Sequence, residues 1–310
     1  NDGFVKKISD YITKKVADKL SGMCKTDREN YEKYWDDISP FIKFGCLKDQ
    51  KFQEKMKDFI IFKNLDDKFI TLPEYVENVK GNDEEQPEVV DAEDVAKEEA
   101  GEETETKEEE PTTVYYVTDV QQQSQYINLF REQGMDALIL AHTIDQPFIT
   151  QLEQSEDVKV HFQRIDSDIS DSMKEEGDEE TLKKQTETLS DVFKKALGKD
   201  QLEVQVQNLK NENISSMITL SEETRRMQDM MKMYNMYGMD PNMFGGQETL
   251  VLNANHPLVK YLAENQESDK APLICEQLYD LAMMSHKQLS PDEMTRFVQR
   301  SNEILLMIAK

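Results

Sequence analysis

Residues 82–110 are the feature that most constrains how this chain of 310 residues can fold. The run holds fifteen Asp and Glu against two Lys, a net charge of −13 that is half of the chain's −26, and it has no aromatic residue. Such a segment buries too little apolar surface to offset the entropy lost on ordering, so we predict a disordered acidic insertion. The ordered parts must fold on either side of it.

Charge and cysteine content exclude several classes of protein. A net charge of −26 and a pI near 4.6 argue against a nucleic-acid binder, because phosphate contacts need clustered Lys and Arg. Three widely spaced cysteines without CxxC spacing indicate neither a disulfide framework nor a zinc site, which is typical of a reducing cytoplasm. No apolar run reaches the roughly 18 residues of a membrane span. We therefore expect protein partners, with no nucleic acid and no membrane. The chain begins at Asn1 without an initiator Met, so we expect a fragment of a larger protein.

Before the insertion, apolar residues recur at helical spacing. We predict that one helix buries a face made of Phe4, Ile8, Tyr11, Ile12, Val16 and Leu20. Two further helices are predicted around 31–41 and 52–60. In TLPEYVENVK, Thr71 is a predicted N-cap with Glu74 three residues later. The sequence thus predicts a helical coil over 1–72, then a short helix and the acidic insertion over 73–111.

A small α/β layer domain is predicted over 112–170. Strand patterns at 114–117 and 137–140 flank a helical pattern that Gly134 ends, which indicates a parallel βαβ unit. A further helix through Phe148 and a strand near 158–162 complete the layer.

A polar linker is predicted over 171–188, followed by an α+β C-terminal domain over 189–310. Apolar and polar residues alternate over 202–209 and over 214–220, which predicts two strands that form an antiparallel hairpin. The fold class is therefore α+β, and the chain ends in two helices.

Motifs for catalysis or cofactor binding do not occur. The sequence has no P-loop, no GxGxxG after a strand, no GxSxG and no HExxH, and its four histidines are scattered singly. A lone histidine is more often structural than catalytic. We predict no catalytic residue, no metal and no cofactor in this chain, and a hidden hydrolase is the weakest alternative.

The segment 221–244 holds seven of the sixteen methionines and is called the methionine-rich segment below. With successive residues about 100° apart around a helix, the segment is predicted to form an amphipathic helix whose apolar stripe consists of flexible side chains. Helical spacing alone favours a core helix, but the neighbouring GMDPNMFGG, a stretch broken by Gly and Pro, still displays apolar side chains on a predicted loop. Thioether side chains adapt to many partners, so the stripe is a candidate binding surface. The candidate residues are Met227, Met230, Met231, Met233 and Tyr234.

The last two helices carry long apolar stripes with little chain left to cover them. The start of the last helix is predicted by Ser290 as N-cap, Pro291 in the first turn and Glu293 three residues after the cap. A two-fold pairing would bury both stripes in a four-helix bundle, while packing within the chain is the alternative. The candidate interface residues are Ile274, Leu278, Leu281, Met294, Phe297, Val298, Ile304, Leu305 and Ile308.

Several stretches of the chain, taken in order, resemble one known family. VKKISDYITKKVADKL and YEKYWDDISPFIKFG are similar to the helical coil of the middle domain in the heat shock protein 90 family, in its bacterial form. TLPEYVENVKG with VYYVTD is similar to the stretch that follows this coil. LNANHPLVKYL, LYDLAMM and RFVQRSNEILLMIAK are similar to its C-terminal dimerisation domain. The match covers the chain apart from the acidic run, which the family normally carries elsewhere.

The resemblance implies a cytoplasmic homodimeric chaperone that binds unfolded client proteins. It implies ATP and Mg for the full-length protein through an N-terminal domain absent here. It also implies client contact by the methionine-rich segment and by an aromatic residue after Ile144-Asp145, for which Phe148 is the candidate although it is displaced by one position. The alternative function is an acidic scaffold that recruits a basic partner through 82–110.

Overall fold

The computed structural model describes residues 2–84, 111–155, 157–167, 173–175, 177–222, 224–227 and 248–309. They form two compact units, Asn1–Thr118 with Ala137–Gln163, and Asp119–Asp136 with Arg164–Lys310. The α+β class is confirmed, because helices and two mixed sheets make up these units. The predicted acidic insertion lies almost entirely outside the described residues.

The first unit begins with the predicted helical coil. The coil consists of α1 (Asp2–Thr26), α2 (Arg28–Lys48) and α3 (Gln50–Met56) with a 3-10 turn at Lys57–Phe59. The predicted short helix, α4 (Leu72–Glu84), comes later in the chain. The predicted burial of the first half of α1 is wrong, since Phe4 is 71% exposed and Tyr11 is 62% exposed. Only the later turns of α1, around Ala17 and Cys24, reach the core that α2 and α3 share.

A five-stranded mixed sheet completes the first unit. Its strands are β1 (Ile61–Asn64), β2 (Phe69–Thr71), β3 (Thr112–Val117), β4 (Leu138–Ile139) and β5 (Val160–Arg164), in the order β2-β1-β4-β3-β5. The parallel pairing of β3 with β4 confirms the predicted strand relationship. The β1–β2 hairpin falls inside 1–72, so that region is not purely helical as predicted.

Two helices lie between the strands after the insertion. Helix α5 (Ser124–Glu132) connects β3 to β4 and is followed by Gly134, whose φ of 67° favours glycine. It belongs to the second unit, where the hydroxyl of Tyr126 donates to the carbonyl of Ile218 at 2.6 Å. Helix α6 (Asp145–Glu153) belongs to the first unit. The compact units therefore do not follow the predicted boundaries at 112 and 170.

The second unit continues with α7 (Glu179–Leu197), which begins ten residues before its predicted start at 189. Asp178 caps this helix by accepting from the backbone N–H of Thr181 at 3.2 Å, so half of the predicted linker is helical. Gly198, with a φ of 62°, ends it.

A three-stranded sheet follows, with β6 (Glu203–Gln207), β7 (Ser216–Thr219) and β8 (Thr249–Asn253) in the order β6-β8-β7. The predicted hairpin is wrong. Strand β8 lies between β6 and β7, parallel to β6 and antiparallel to β7. Helices α8 (Pro257–Glu264), α9 (Ala271–His286) and α10 (Pro291–Ile308) end the chain, and α9 packs with α7 over this sheet. We call α9 and α10 the terminal helix pair.

Candidate functional site

The start of α10 is fixed by a capping box, as the sequence predicts. The backbone N–H of Ser290 donates to Oε2 of Glu293 at 2.8 Å, and the N–H of Glu293 donates to the Ser290 hydroxyl at 3.4 Å. The Ser290 hydroxyl also donates to Oε2 of Glu293 at 2.7 Å, and this hydrogen bond, together with that of the Ser290 backbone N–H, lowers the pKa of Glu293. The helix therefore begins at a defined residue, which sets the direction of every later side chain.

The outer side of α10 is an exposed apolar stripe. Val298 is 48% exposed, Leu305 is 62% exposed and Ile308 is 76% exposed. Met294 is 39% exposed on the same side. These four residues recur at spacings of four, seven and three, which places them on one face of the helix.

Arg300 is the single residue of α10 that is buried. Its Nε donates to Oε1 of Gln277 at 2.9 Å and its Nη1 to Oε2 of Glu276 at 2.9 Å, while Nη2 pairs with Asp280. All three partners lie on α9. By helical geometry Arg300 is roughly 140–160° from Leu305 and Val298, so attachment to α9 turns the apolar stripe outward.

The predicted interface residues of α9 divide into two groups. Leu278 is 1% exposed and belongs to the core of the second unit, so its assignment to an interface is corrected. Ile274 is partly buried against the same core. Leu281, at 43% exposed, is accessible, as is Met284 three residues later.

The remaining predicted residues of α10, Phe297 and Ile304, are partly buried. The structure adds Leu306 and Met307, both more than half exposed, to the apolar surface. Sequence analysis missed Met284 although it lies three residues after Leu281, at helical spacing. It missed Leu306 and Met307 because they are one and two residues after Leu305 and so lie outside the predicted stripe.

The methionine-rich segment is described only at its start. Met227 is partly exposed on the helical turn that follows Ser221. The other predicted client-contacting residues, Met230, Met231, Met233 and Tyr234, lie outside the described residues.

Phe148 has no exposed surface, so its proposed contact with a client is corrected. On α6 the residues Asp145, Phe148, Ile149 and Leu152 share the buried face. The ring of Phe148 lies 6.5 Å from that of Phe62, and the ammonium of Lys43 lies 6.0 Å from its centroid. Phe148 is a core residue of the first unit.

The described part of the chain has neither a metal site nor a helix that could span a membrane. There, no group of three or more His, Cys, Asp or Glu side chains is placed to hold a metal ion. Nor does any described helix combine the length and apolar content that crossing a membrane requires.

Comparison with known proteins identifies the family. A sequence model described as Hsp90 protein matches residues 1–89 and 103–309, and the gap falls within the acidic run. The chaperone protein HtpG of Bacteroides thetaiotaomicron is 33% identical over 277 residues, which are 86% of this chain and 37% of the relative. HtpG of Porphyromonas gingivalis is 30% identical over 89% of this chain and 38% of the relative.

A more distant relative, HtpG of Helicobacter acinonychis, is 26% identical over 94% of this chain and 42% of its own length. The chain thus spans about two fifths of the length of these curated relatives. The family model runs from α1 to the end of α10 and includes both compact units. This chain belongs to the Hsp90 protein family.

Proposed function

We propose that this chain is the dimerising and client-holding part of an ATP-dependent cytoplasmic chaperone. The observation that carries the proposal is the exposed apolar stripe of α10, which the described residues of the chain leave uncovered. The name chaperone protein HtpG belongs to the relatives and supports the extension to this chain.

A second copy of the chain is the occupant that best fits the stripe. Fully burying a Val, Leu or Ile side chain contributes about 1.5–3 kcal/mol, so leaving several of them in water on one helix is unfavourable. In a two-fold arrangement the same patch covers itself, and α9 and α10 from two chains make a four-helix bundle. Leu281, Met294, Val298, Leu305 and Ile308 would form its seam.

The methionine-rich segment is the proposed client-binding element. Flexible thioether side chains can repack against many apolar partners, which suits weak contact with partly folded proteins. Dimerisation places two such segments in one particle, so a second contact with the same client becomes intramolecular and compensates for low affinity per site.

ATP and Mg are proposed only for a full-length protein of the length of the relatives. No residue of this chain is assigned to hold the nucleotide or the metal, and holding of clients is the activity proposed for the chain itself. Opening and closing driven by ATP would change which client contacts can form together.

The proposal is tested by suppression of aggregation of a model unfolded protein. We expect the chain to suppress aggregation, and Met230→Ser with Met231→Ser to weaken suppression by removing apolar contact. The matched control is Gln228→Ser with Asp229→Ser, two polar residues of the same segment. Equal suppression by the unaltered chain and both double variants would contradict the assigned surface.

Deleting residues 82–110 separates this function from the acidic scaffold. A client-holding chain keeps its suppression of aggregation after the deletion. A scaffold that works through this run would lose its basic partner, and the unaltered chain would show no suppression.

A further inference from the structure

The turn between β3 and α5 is attached to the C-terminal end of α9. The side-chain amide of Gln122 donates to the backbone carbonyl of Met284, and the hydroxyl of Ser285 donates to Oε1 of Gln125 at 2.6 Å. Residues 119–136 and α9 belong to the same compact unit. This part of the chain is therefore bound directly to the terminal helix pair.

Hydrogen bonds between Asp119 and the residues that follow it fix this turn. The backbone N–H of Gln122 donates to Oδ1 of Asp119 at 2.9 Å, and the N–H of Asp119 donates to Oε1 of Gln123 at 3.0 Å. The N–H of Gln123 also donates to the Asp119 carbonyl at 2.9 Å, and the Gln123 side chain is buried. An aspartate side chain that bonds the backbone after it stabilises a turn. Val120, within this turn, therefore has a defined position.

Val120 places an exposed apolar side chain near the end of α9. It is 49% exposed, and it lies two residues before Gln122, a stretch of chain that spans at most about 7 Å. Leu281 and Met284 on α9 are exposed as well. The turn thus adds a third exposed apolar side chain to this end of α9.

The exposed apolar residues of α9 border α10, which carries most of the proposed seam. Arg300 attaches α10 to Gln277 and Asp280 of α9. Leu281 and Met284 lie four residues after these two partners, and hence on the same side of α9. In a two-fold dimer one self-complementary patch covers itself, so apolar surface that continues this patch is covered by the same partner.

We propose that Val120 is part of the interface between two copies of this chain, beside Leu281 and Met284. The inference rests on the proposed dimer. It extends the interface from the last two helices to a turn that lies about 160 residues earlier in the sequence. The occupant is a second copy and not a client, because the turn is bound to the helices that the second copy covers. Burial of this further apolar side chain strengthens the dimer.

The test is sedimentation equilibrium of the full chain at several concentrations, with Val120→Glu. A carboxylate in place of a covered valine opposes association, so we expect the dissociation constant of the dimer to rise about tenfold. The control is Leu258→Glu, which adds the same charge at an exposed apolar residue of α8 in the same unit and should leave the constant unchanged. An unchanged constant for Val120→Glu, or an equal rise in both variants, would overturn the inference.

A milder variant, Val120→Ala, decides the test if Val120→Glu does not fold. It removes most of the apolar side chain without adding a charge, so the dissociation constant should rise about threefold, and an unchanged constant would again overturn the inference. Leu305→Glu separates this inference from the proposed function. If Leu305→Glu dissociates the dimer while both Val120 variants keep it, the dimer stands and the role of Val120 is refuted. If the unaltered chain is a monomer, the proposed dimer fails and the inference fails with it.

Discussion

Arg300 of α10 and Glu276 of α9 form an ion pair, with Nη1 2.9 Å from Oε2, although the arginine is buried and the glutamate is partly exposed. The pair and its neighbour Asp280 attach α10 to its own chain by a polar contact. The apolar stripe of Met294, Val298, Leu305 and Ile308 remains exposed on the other side of α10.

Arg300→Met should loosen α10 from α9. The change leaves Gln277, Glu276 and Asp280 without their shared donor, so we expect the free energy of unfolding to fall by about 1–3 kcal/mol in urea titration. Arg296→Met, at an exposed arginine of the same helix, is the control and should have little effect. Equal losses for the two variants would show that the buried contacts of Arg300 contribute nothing specific.

Lys43 and Asp145 form a buried ion pair in the first unit, with both side chains at most 5% exposed. Lys43→Met removes the ammonium partner of the buried carboxylate, which keeps its hydrogen bond from the backbone N–H of His142 at 2.9 Å. Loss of the ammonium should cost about 3–5 kcal/mol. Combining it with Asp145→Asn should recover part of that loss, because the orphaned charge is removed. The fluorescence of Trp35, the chain's single tryptophan, follows unfolding of this unit.

The matched control for that pair is Lys63→Met, which breaks the exposed ion pair with Asp36. Such surface pairs contribute at most about 1 kcal/mol, so a small effect is expected. A double variant that is less stable than Lys43→Met alone would contradict the assignment of Asp145 as an orphaned charge.

The lowered pKa of Glu248 predicts that the fold loses stability in acid. Burial alone would raise its pKa, but His286 and Lys287 lower it to about 2. A carboxyl group with a depressed pKa stabilises the fold above its unfolded pKa of about 4.3, and this contribution is lost as the pH falls from there to about 2. The sign is therefore destabilisation on acidification.

We expect Glu248→Gln to abolish about 2–3 kcal/mol of this pH dependence between pH 5 and pH 2, measured by circular dichroism in urea at each pH. Glu264→Gln, at an exposed position, is the control. An unchanged slope in Glu248→Gln would rule out Glu248 as a source of the pH dependence.

The helix caps were predictable because their partners are close in the sequence. Thr71 with Glu74 and Ser290 with Glu293 each form reciprocal hydrogen bonds across three residues, as their spacing indicates. Cap chemistry depends little on the rest of the fold. These starts therefore agree with the structure to the residue.

Strand pairing was not predictable in the same way. Strands β6 and β7 are neighbours in the sequence, yet β8 separates them in the sheet. In β8 the residues Leu250, Val251 and Leu252 are all buried, so this central strand lacks the alternation that marks a half-exposed strand. The β1–β2 hairpin carried a turn signal in Asn64, Asp66 and Asp67, but the apolar run before it also fits a helix.

The candidate sites, too, were predictable from the sequence only where they depend on local spacing. The exposed stripe of α10 follows from local periodicity, whereas burial of Leu278 and Phe148 depends on elements far away in the chain. In the second unit, Nδ1 of His286 lies 3.7 Å from Oδ2 of Asp166, although the two residues are about 120 positions apart and no spacing rule connects them. Contacts of this kind emerge only from the tertiary structure.

The mass of the chain in solution tests the central claim most directly. Sedimentation equilibrium at micromolar concentration should give twice the chain mass of 36.1 kDa, and Leu305→Glu should shift the chain towards the monomer because it places a charge in the seam. Asn302→Glu, at an exposed polar position of the same helix, should leave the dimer intact. A mass of 36.1 kDa for the unaltered chain at every concentration would contradict a dimer formed through the terminal helix pair.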